Sequence, residues 1–316
     1  MFSLTLRLGF LAAALSAFVG NVRADAPVEL RFHPAKGSVI HLKATFEQKL
    51  TAGGDADAKL TNQSLSLGYT FTTQDIAADE TVTMKVTYDS VAFRQTSAEN
   101  TIEYDSQKPP PTIHPLAKAF VALPGQSLVI EVKPDGHVTA VRGQPEMIDA
   151  ILTKLDLPEG TEKAAVEKTL RSQFSAKAVK DDMETMLLIY PDHPVAVGDH
   201  WTRHMAVSQV IPMTLNNTFT LKDTAGGIAT LDVKSTLSTD PTTAPIKLGT
   251  NELRYHLTGE QNGEMKINLD DGICRSANIT QTVSGTLTMT DLTDTSTTKP
   301  TLMPLSIETK ITMESK

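Results

Sequence analysis

The sequence predicts a mainly β protein with a central helical segment (α+β), built as curved antiparallel sheets or half-barrels packed on helices. Three observations carry this. Apolar and polar residues alternate with period 2 in both halves of the chain, the period lengthens to 3.6 only between them, and turn residues punctuate the alternating runs. The resulting division is a leader at 1–26, a strand-rich half at 27–143, a helical connection at 144–194 and a second strand-rich half at 195–316.

The leader reads MFSLTLRLGFLAAALSAFVGNVRADA. Arg7 supplies a positive start, residues 8–19 an apolar run, and Ala24-Asp25-Ala26 a small-x-small cleavage pattern. These are the parts of a secretory signal peptide, so the expectation is an exported protein, periplasmic or extracellular. No later run is long and apolar enough for a membrane helix, so no transmembrane span is expected in the mature chain. The net charge of -8 comes with no basic cluster, which argues against a nucleic-acid partner. Aromatic residues make up 5%, too few for a stacking platform. Cys274 is the only cysteine, which excludes an intramolecular disulfide; after Asp271-Gly272-Ile273 it reads as a half-buried small apolar residue.

The elements follow in order. Lys36-Gly37-Ser38-Val39-Ile40 opens a strand, and Ala52-Gly53-Gly54-Asp55 turns between two long ones. Residues 127–143, SLVIEVKPDGHVTAVRG, form the most regular unit. Leu128, Ile130 and Val132 alternate with polar or β-branched neighbours, Pro134-Asp135-Gly136 makes the turn, and Val138 and Ala140 resume the alternation. Every residue type there has a turn-building reason. Pro145 then suits a first helical position, and Met147, Ile148, Ile151, Leu152 and Leu155 fall on one helical face. A second helical stretch covers 161–189, with Ser175 a candidate divider and Pro191 and Pro194 as stops.

The second half echoes the first. EMKINLDDGICRSANIT, residues 264–280, repeats the hairpin with an Asp-Asp-Gly turn. Tyr69 to Asp75 is echoed by Asn217 to Asp223, and Lys36 to Ile40 by Val197 to Trp201. Their common order predicts two related halves. Residues 240–248 and 291–300 read as exposed loops, and Leu305, Ile307 and Ile311 as a last strand.

The search for chemistry finds little. There is no Gly-x-Ser-x-Gly, P-loop, His-Glu-x-x-His or Cys-x-x-Cys pattern. His200 and His204 lie about 13 Å apart along a strand, too far for one zinc, so no metal and no cofactor is expected. Asp192, His193, Asp199, His200 and His204 are the best acid–base candidates, and no nucleophile stands out beside them. If helices cover a curved sheet and leave an apolar groove, Val132, Val138, Met147, Ile151, Met183 and Met186 are its candidate walls; the same six would equally fill a core. Trp201, the single tryptophan, is expected to anchor the second half against the helices.

Leu123-Pro124-Gly125-Gln126 with the hairpin after it, Tyr190-Pro191-Asp192-His193-Pro194-Val195 with Gly198-Asp199-His200-Trp201, and the late turn at Asp271-Gly272 resemble a family of exported bacterial proteins of unknown function. That resemblance implies no catalytic residues. The strand order is also loosely similar to periplasmic lipid-carrier proteins, a likeness of fold that does not fix function. The expected function is a non-enzymatic cell-envelope protein that binds an apolar ligand such as lipid, or another envelope protein. The competing readings are a scaffold that pairs through sheet edges, such as Gly285 to Thr290, and a hydrolase with its site near His193 and His200.

Overall fold

The computed structural model describes residues 26–54, 58–114, 117–207, 211–292 and 300–316. The leader lies outside the described residues except for Ala26, as do Asp55 of the first turn and most of the loop at 291–300. In the first half the strands are β1 (Val39–Ala52), β2 (Lys59–Ile76), β3 (Val82–Thr96), β4 (Thr101–Asp105), β5 (Ser127–Val132) and β6 (Val138–Arg142), with a one-turn helix α1 (Lys118–Val121) before β5. The connection holds α2 (Gln144–Leu155), α3 (Thr161–Gln173) and α4 (Ala176–Leu187). The second half holds β7 (His200–Val207), β8 (Met213–Ala225), β9 (Ile228–Ser238), β10 (Ile246–Leu248), β11 (Asn251–Asn268), β12 (Cys274–Asp291) and β13 (Thr301–Ser315).

The two halves share one antiparallel sheet in the order β6-β5-β3-β2-β1-β13-β12-β11-β9-β8-β7, with β4 on β3 and β10 on β11. The last strand, β13, pairs with the first, β1, and with β12, which welds the halves together. The main hydrophobic core accordingly runs through both halves. A smaller cluster of Val91, Phe93, Ile102 and Tyr104 sits beside it, capped by Phe120, which stacks on Phe93 at 4.9 Å.

The sequence echoes are structural repeats. Strands β1-β2-β3-β5-β6 pair in chain order, and β7-β8-β9-β11-β12 pair in the same relative order. Each repeat has a bulge at the equivalent place, between Thr73 and Asp75 in β2 and between Leu221 and Asp223 in β8. Each also has the same entry: Gly37 N–H donates to Thr73 O at 2.9 Å, and Gly198 N–H donates to Leu221 O at 2.7 Å. After β12 the chain adds β13, which fills the slot between β12 and β1. After β6 it adds helices, and α4 fills the corresponding slot, packing against both β6 and β7. Ser175 caps α4 by accepting from Ala178 N–H at 3.2 Å.

The two Asp-Gly turns are more than turns. Both glycines have positive φ, 88° at Gly136 and 72° at Gly272. A Cβ on Gly136 would lie 1.8 Å from Leu187 O at the end of α4, and one on Gly272 would lie 1.8 Å from Arg31 O. The segment before β1 ties the two turns together: Phe32 N–H donates to Pro134 O at 2.8 Å and His33 N–H to Asp271 O at 3.1 Å. Gly136→Ala and Gly272→Ala should therefore each cost about 2–5 kcal/mol, the left-handed penalty plus a backbone clash. Gly226→Ala, at φ 59° with nothing within 4 Å, should cost only about 1 kcal/mol. Urea unfolding of the three variants checks this, and equal costs would refute the close-approach argument.

Candidate functional site

An apolar cavity of about 50 Å³ lies where the end of α4 meets the sheet. Phe32, Leu42, Phe71, Met84, Met186 and Met313 wall it, with Tyr190 and Cys274 beside them. The alternation of β1, β2, β3 and β13 supplies the sheet wall, the segment before β1 supplies Phe32, and the last turn of α4 supplies Met186. Tyr190 donates its hydroxyl to Gly272 O at 2.5 Å. Burial raises the hydroxyl pKa of Tyr190 and also those of Tyr69 and Tyr88 in the neighbouring core. Cys274 is half-buried as a residue, but its sulfur faces inward, and burial pushes the thiol up to about 12.

Of the six wall residues proposed from sequence, Met186 lines this cavity. Val132, Val138 and Ile151 are fully buried, and Met147 and Met183 nearly so, in the core between the sheet and the helices. Trp201 is buried on the inward face of β7, stacks on Phe219 at 5.8 Å and donates its indole N–H to Ile189 O at 2.8 Å. It thus joins the second half to the segment that follows α4.

The acid–base candidates do not share a cleft. His193 meets the adjacent Asp192 at 2.7 Å in an exposed turn, and this bond holds the Asp192 carboxyl below its usual range. Asp199 is used within a turn, accepting from Ala196 N–H at 2.9 Å. His200 and His204 lie on the outer face of β7, where His204 pairs with Asn216. Among the described residues, no group of three His, Cys, Asp or Glu side chains is placed to hold a metal.

The inward face of the sheet carries a feature that the sequence reading missed. Arg203 of β7 faces Asn217 of β8, Asn217 faces Ser235 of β9, and Ser235 faces Gln261 of β11. Gln261 faces Gln281, which faces Thr309, and the row continues through Gln48 and Gln63 to Gln95 of β3. One polar side chain from each of nine neighbouring strands thus forms a transverse line between apolar rows. Trp201, Phe219, Val233, Ile279, Ile311 and Phe46 lie on one side, and Met205, Leu215, Leu237, Val283, Ile307 and Leu50 on the other. Part of the line is internally bonded: Ser235 donates to Asn217 Oδ1 at 2.5 Å, Gln261 to Ser235 at 3.4 Å, and Gln48 to Thr309 at 3.4 Å. At its end, Arg203 donates to Tyr190 O, yet its Nε is buried with no partner among the described residues. The only sequence signal was a polar residue interrupting each apolar alternation, and it gains meaning only once the strand register is known.

The outer face behind this line holds an open groove of about 550 Å³, bordered by Glu47, Lys49, Asn62, Arg94, Glu308 and Lys310. Its charges pair across strands, as in Lys49–Glu308 at 3.6 Å.

The sequence matches the family of unknown function DUF6263 over residues 79–274, and the chain belongs to that family. No curated protein matches it. Among solved structures it is similar to one of lipovitellin, titled for lipid–protein interactions, at 9% identity and a TM-score of 0.43. That match covers 89% of this chain and 25% of the other, so the chain spans about a quarter of lipovitellin's length. Pseudomonas aeruginosa OpdQ aligns at 6% identity and a TM-score of 0.19, over 88% of this chain and 99% of the other. Neither likeness is strong enough to carry an argument.

Trp201→Ala should cost about 3–5 kcal/mol and Trp201→Phe less. Native emission should be blue-shifted and shielded from iodide; emission like that of free tryptophan would remove the anchor. A second expectation concerns alkaline pH. An unfolded Cys274 ionises near its ordinary 9.0, whereas the folded thiol resists until about 12. The buried tyrosines are shifted in the same direction. The unfolded state therefore loses protons first, and stability should fall as pH rises above 9. Denaturation midpoints that stay flat between pH 8 and 11 would contradict this.

Proposed function

We propose that this member of the DUF6263 family is a non-catalytic cell-envelope protein that carries an apolar or amphipathic ligand such as a lipid inside its sheet. One observation carries the reading: the seam of the sheet, between β6 and β7, is filled by a helix. A strand in that slot would be locked by two ladders of backbone bonds. Helix α4 is held by side-chain contacts and a few polar links, chiefly Glu184, which accepts from Val138 N–H at 3.0 Å and meets His137 at 3.2 Å. It can move without breaking a strand pair.

Movement is required. A cavity of about 50 Å³ has room for one or two waters, while ligand sites run to about 300–1,000 Å³. Met84, Met186 and Met313 in its wall suit such expansion, because methionine adapts its shape cheaply. The leader motif supports export to the envelope. The scaffold reading has less support. Thr286 to Met289, in the strand proposed as an edge, pair on both sides within the sheet. The hydrolase reading has no common cleft.

The test uses mature protein prepared from its own envelope. Native mass spectrometry should find a copurified acyl-chain molecule, and the fluorescent probe N-phenyl-1-naphthylamine should bind saturably and be displaced by oleate. In Glu184→Ala, with the Val138 N–H released, probe entry should be several-fold faster, at a stability cost of about 1–3 kcal/mol. Absence of both copurified lipid and saturable probe binding would overturn the proposal.

A further inference from the structure

We infer that the transverse polar line is the site that receives the head of an amphiphile, and that this head is not cationic and is rich in oxygen acceptors, as in a monoacylglycerol. The inference rests on the carrier reading above and adds the ligand's class and orientation.

Position is the first reason. Leu42 walls the apolar cavity and Gln48 lies in the polar line, six residues further along the same strand. At about 3.3 Å per residue this is about 20 Å. A bilayer core two chains thick is about 30 Å, so one acyl chain at about 15 Å covers most of the interval. The rows between, which include Ala44 and Phe46, are apolar.

Chemistry is the second reason. The line offers amides and hydroxyls with a single cation at its end. The buried Nε of Arg203 is a donor without an acceptor among the described residues, and Gln261, Gln281, Gln48, Gln63 and Gln95 are only half-buried, with amide groups able to turn toward a guest. Hydroxyl and ester oxygens satisfy such donors, whereas a hydrocarbon leaves them unpaired and a cationic head meets Arg203. Discrimination follows because polar groups that must be left unpaired reject the ligand that fails to pair them.

Space is the third. Gly259 and Gly263 flank Gln261 on the inward face, and a Cβ on either would lie 2.3 Å from a carbonyl oxygen of β12. The sheet turns so closely there that no larger side chain fits beside the glutamine, and Gln261 stands clear of same-strand neighbours.

The experiment compares 1-monooleoylglycerol with 1-octadecene, each delivered to the mature protein from cyclodextrin and read by displacement of N-phenyl-1-naphthylamine. Monooleoylglycerol should bind at least tenfold tighter. The double variant Gln261→Met/Gln281→Met should lose that preference while still binding octadecene. If it does not fold, Gln48→Met alone should reduce the preference about threefold. Equal binding of the two probes by the unaltered protein, or a preference unchanged in the variants, overturns the polar-head site and leaves the carrier reading standing. Binding of neither probe overturns both.

Discussion

The structure depends on the wedging of α4 between the two edge strands of the sheet. A sheet of this size with one apolar face must bury that face, and an open sheet also leaves two edges whose N–H and C=O groups invite pairing with other chains. Helix α4 addresses both needs. Its inward side, with Val179 and Met183, covers the core, and its flanks meet β6 and β7. Glu184 supplies an acceptor to an N–H of the β6 edge, and the carbonyls of Ile189 and Tyr190 just beyond the helix accept from Trp201 and Arg203 of β7. Loss of this wedge would expose the core between β6 and β7.

The repeat explains why the wedge sits there. Two similar halves arranged around a common core need two junctions. One is made by β13, with full ladders to β12 and β1. The other is made by a helix. The glycines of the two Asp-Gly turns mark equivalent places: Gly136 touches the backbone at the end of α4, and Gly272 touches the backbone of the segment before β1. The two junctions thus differ in stiffness, since breaking the first severs a strand ladder and shifting the second mostly slides side chains. That asymmetry is the physical basis of the proposed carrier role.

The polar line gives the interior a direction. Apolar rows on either side bury well, but polar groups inside a sheet cost stability unless they are paired. Pairing within the line is partial, and the Nε of Arg203, without a partner among the described residues, lies at the end closest to the segment after α4. An apolar end, a polar belt and a helix-filled seam are the features on which the proposed amphiphile site rests.

Much of the fold was legible in the sequence because the signals were local. Period-2 alternation marked strands in both halves, the Asp-Gly dipeptides marked the hairpins, Ser175 divided the helices, and the paired motifs from Lys36, Tyr69, Val197 and Asn217 disclosed the repeat. Trp201 could be placed as an anchor because a lone large side chain after a turn has few other uses. The site was mostly illegible. Val132, Val138 and Ile151 look the same in sequence whether they line a groove or fill a core; the structure buries all three completely. Gln48, Gln63, Gln261 and Gln281 are ordinary interruptions of separate strands until the register aligns them. The sequence by itself determined the alternating runs that form the main strands and the turns between them, since those depend on neighbours two to four positions away, but not the shift that turns Val141 rather than Ala140 toward the core. Only the tertiary structure decided that the halves share one sheet, that a helix closes it, and that nine polar residues form one line, because strand register and edge closure depend on contacts between residues as many as 275 positions apart, as for His41 and Lys316.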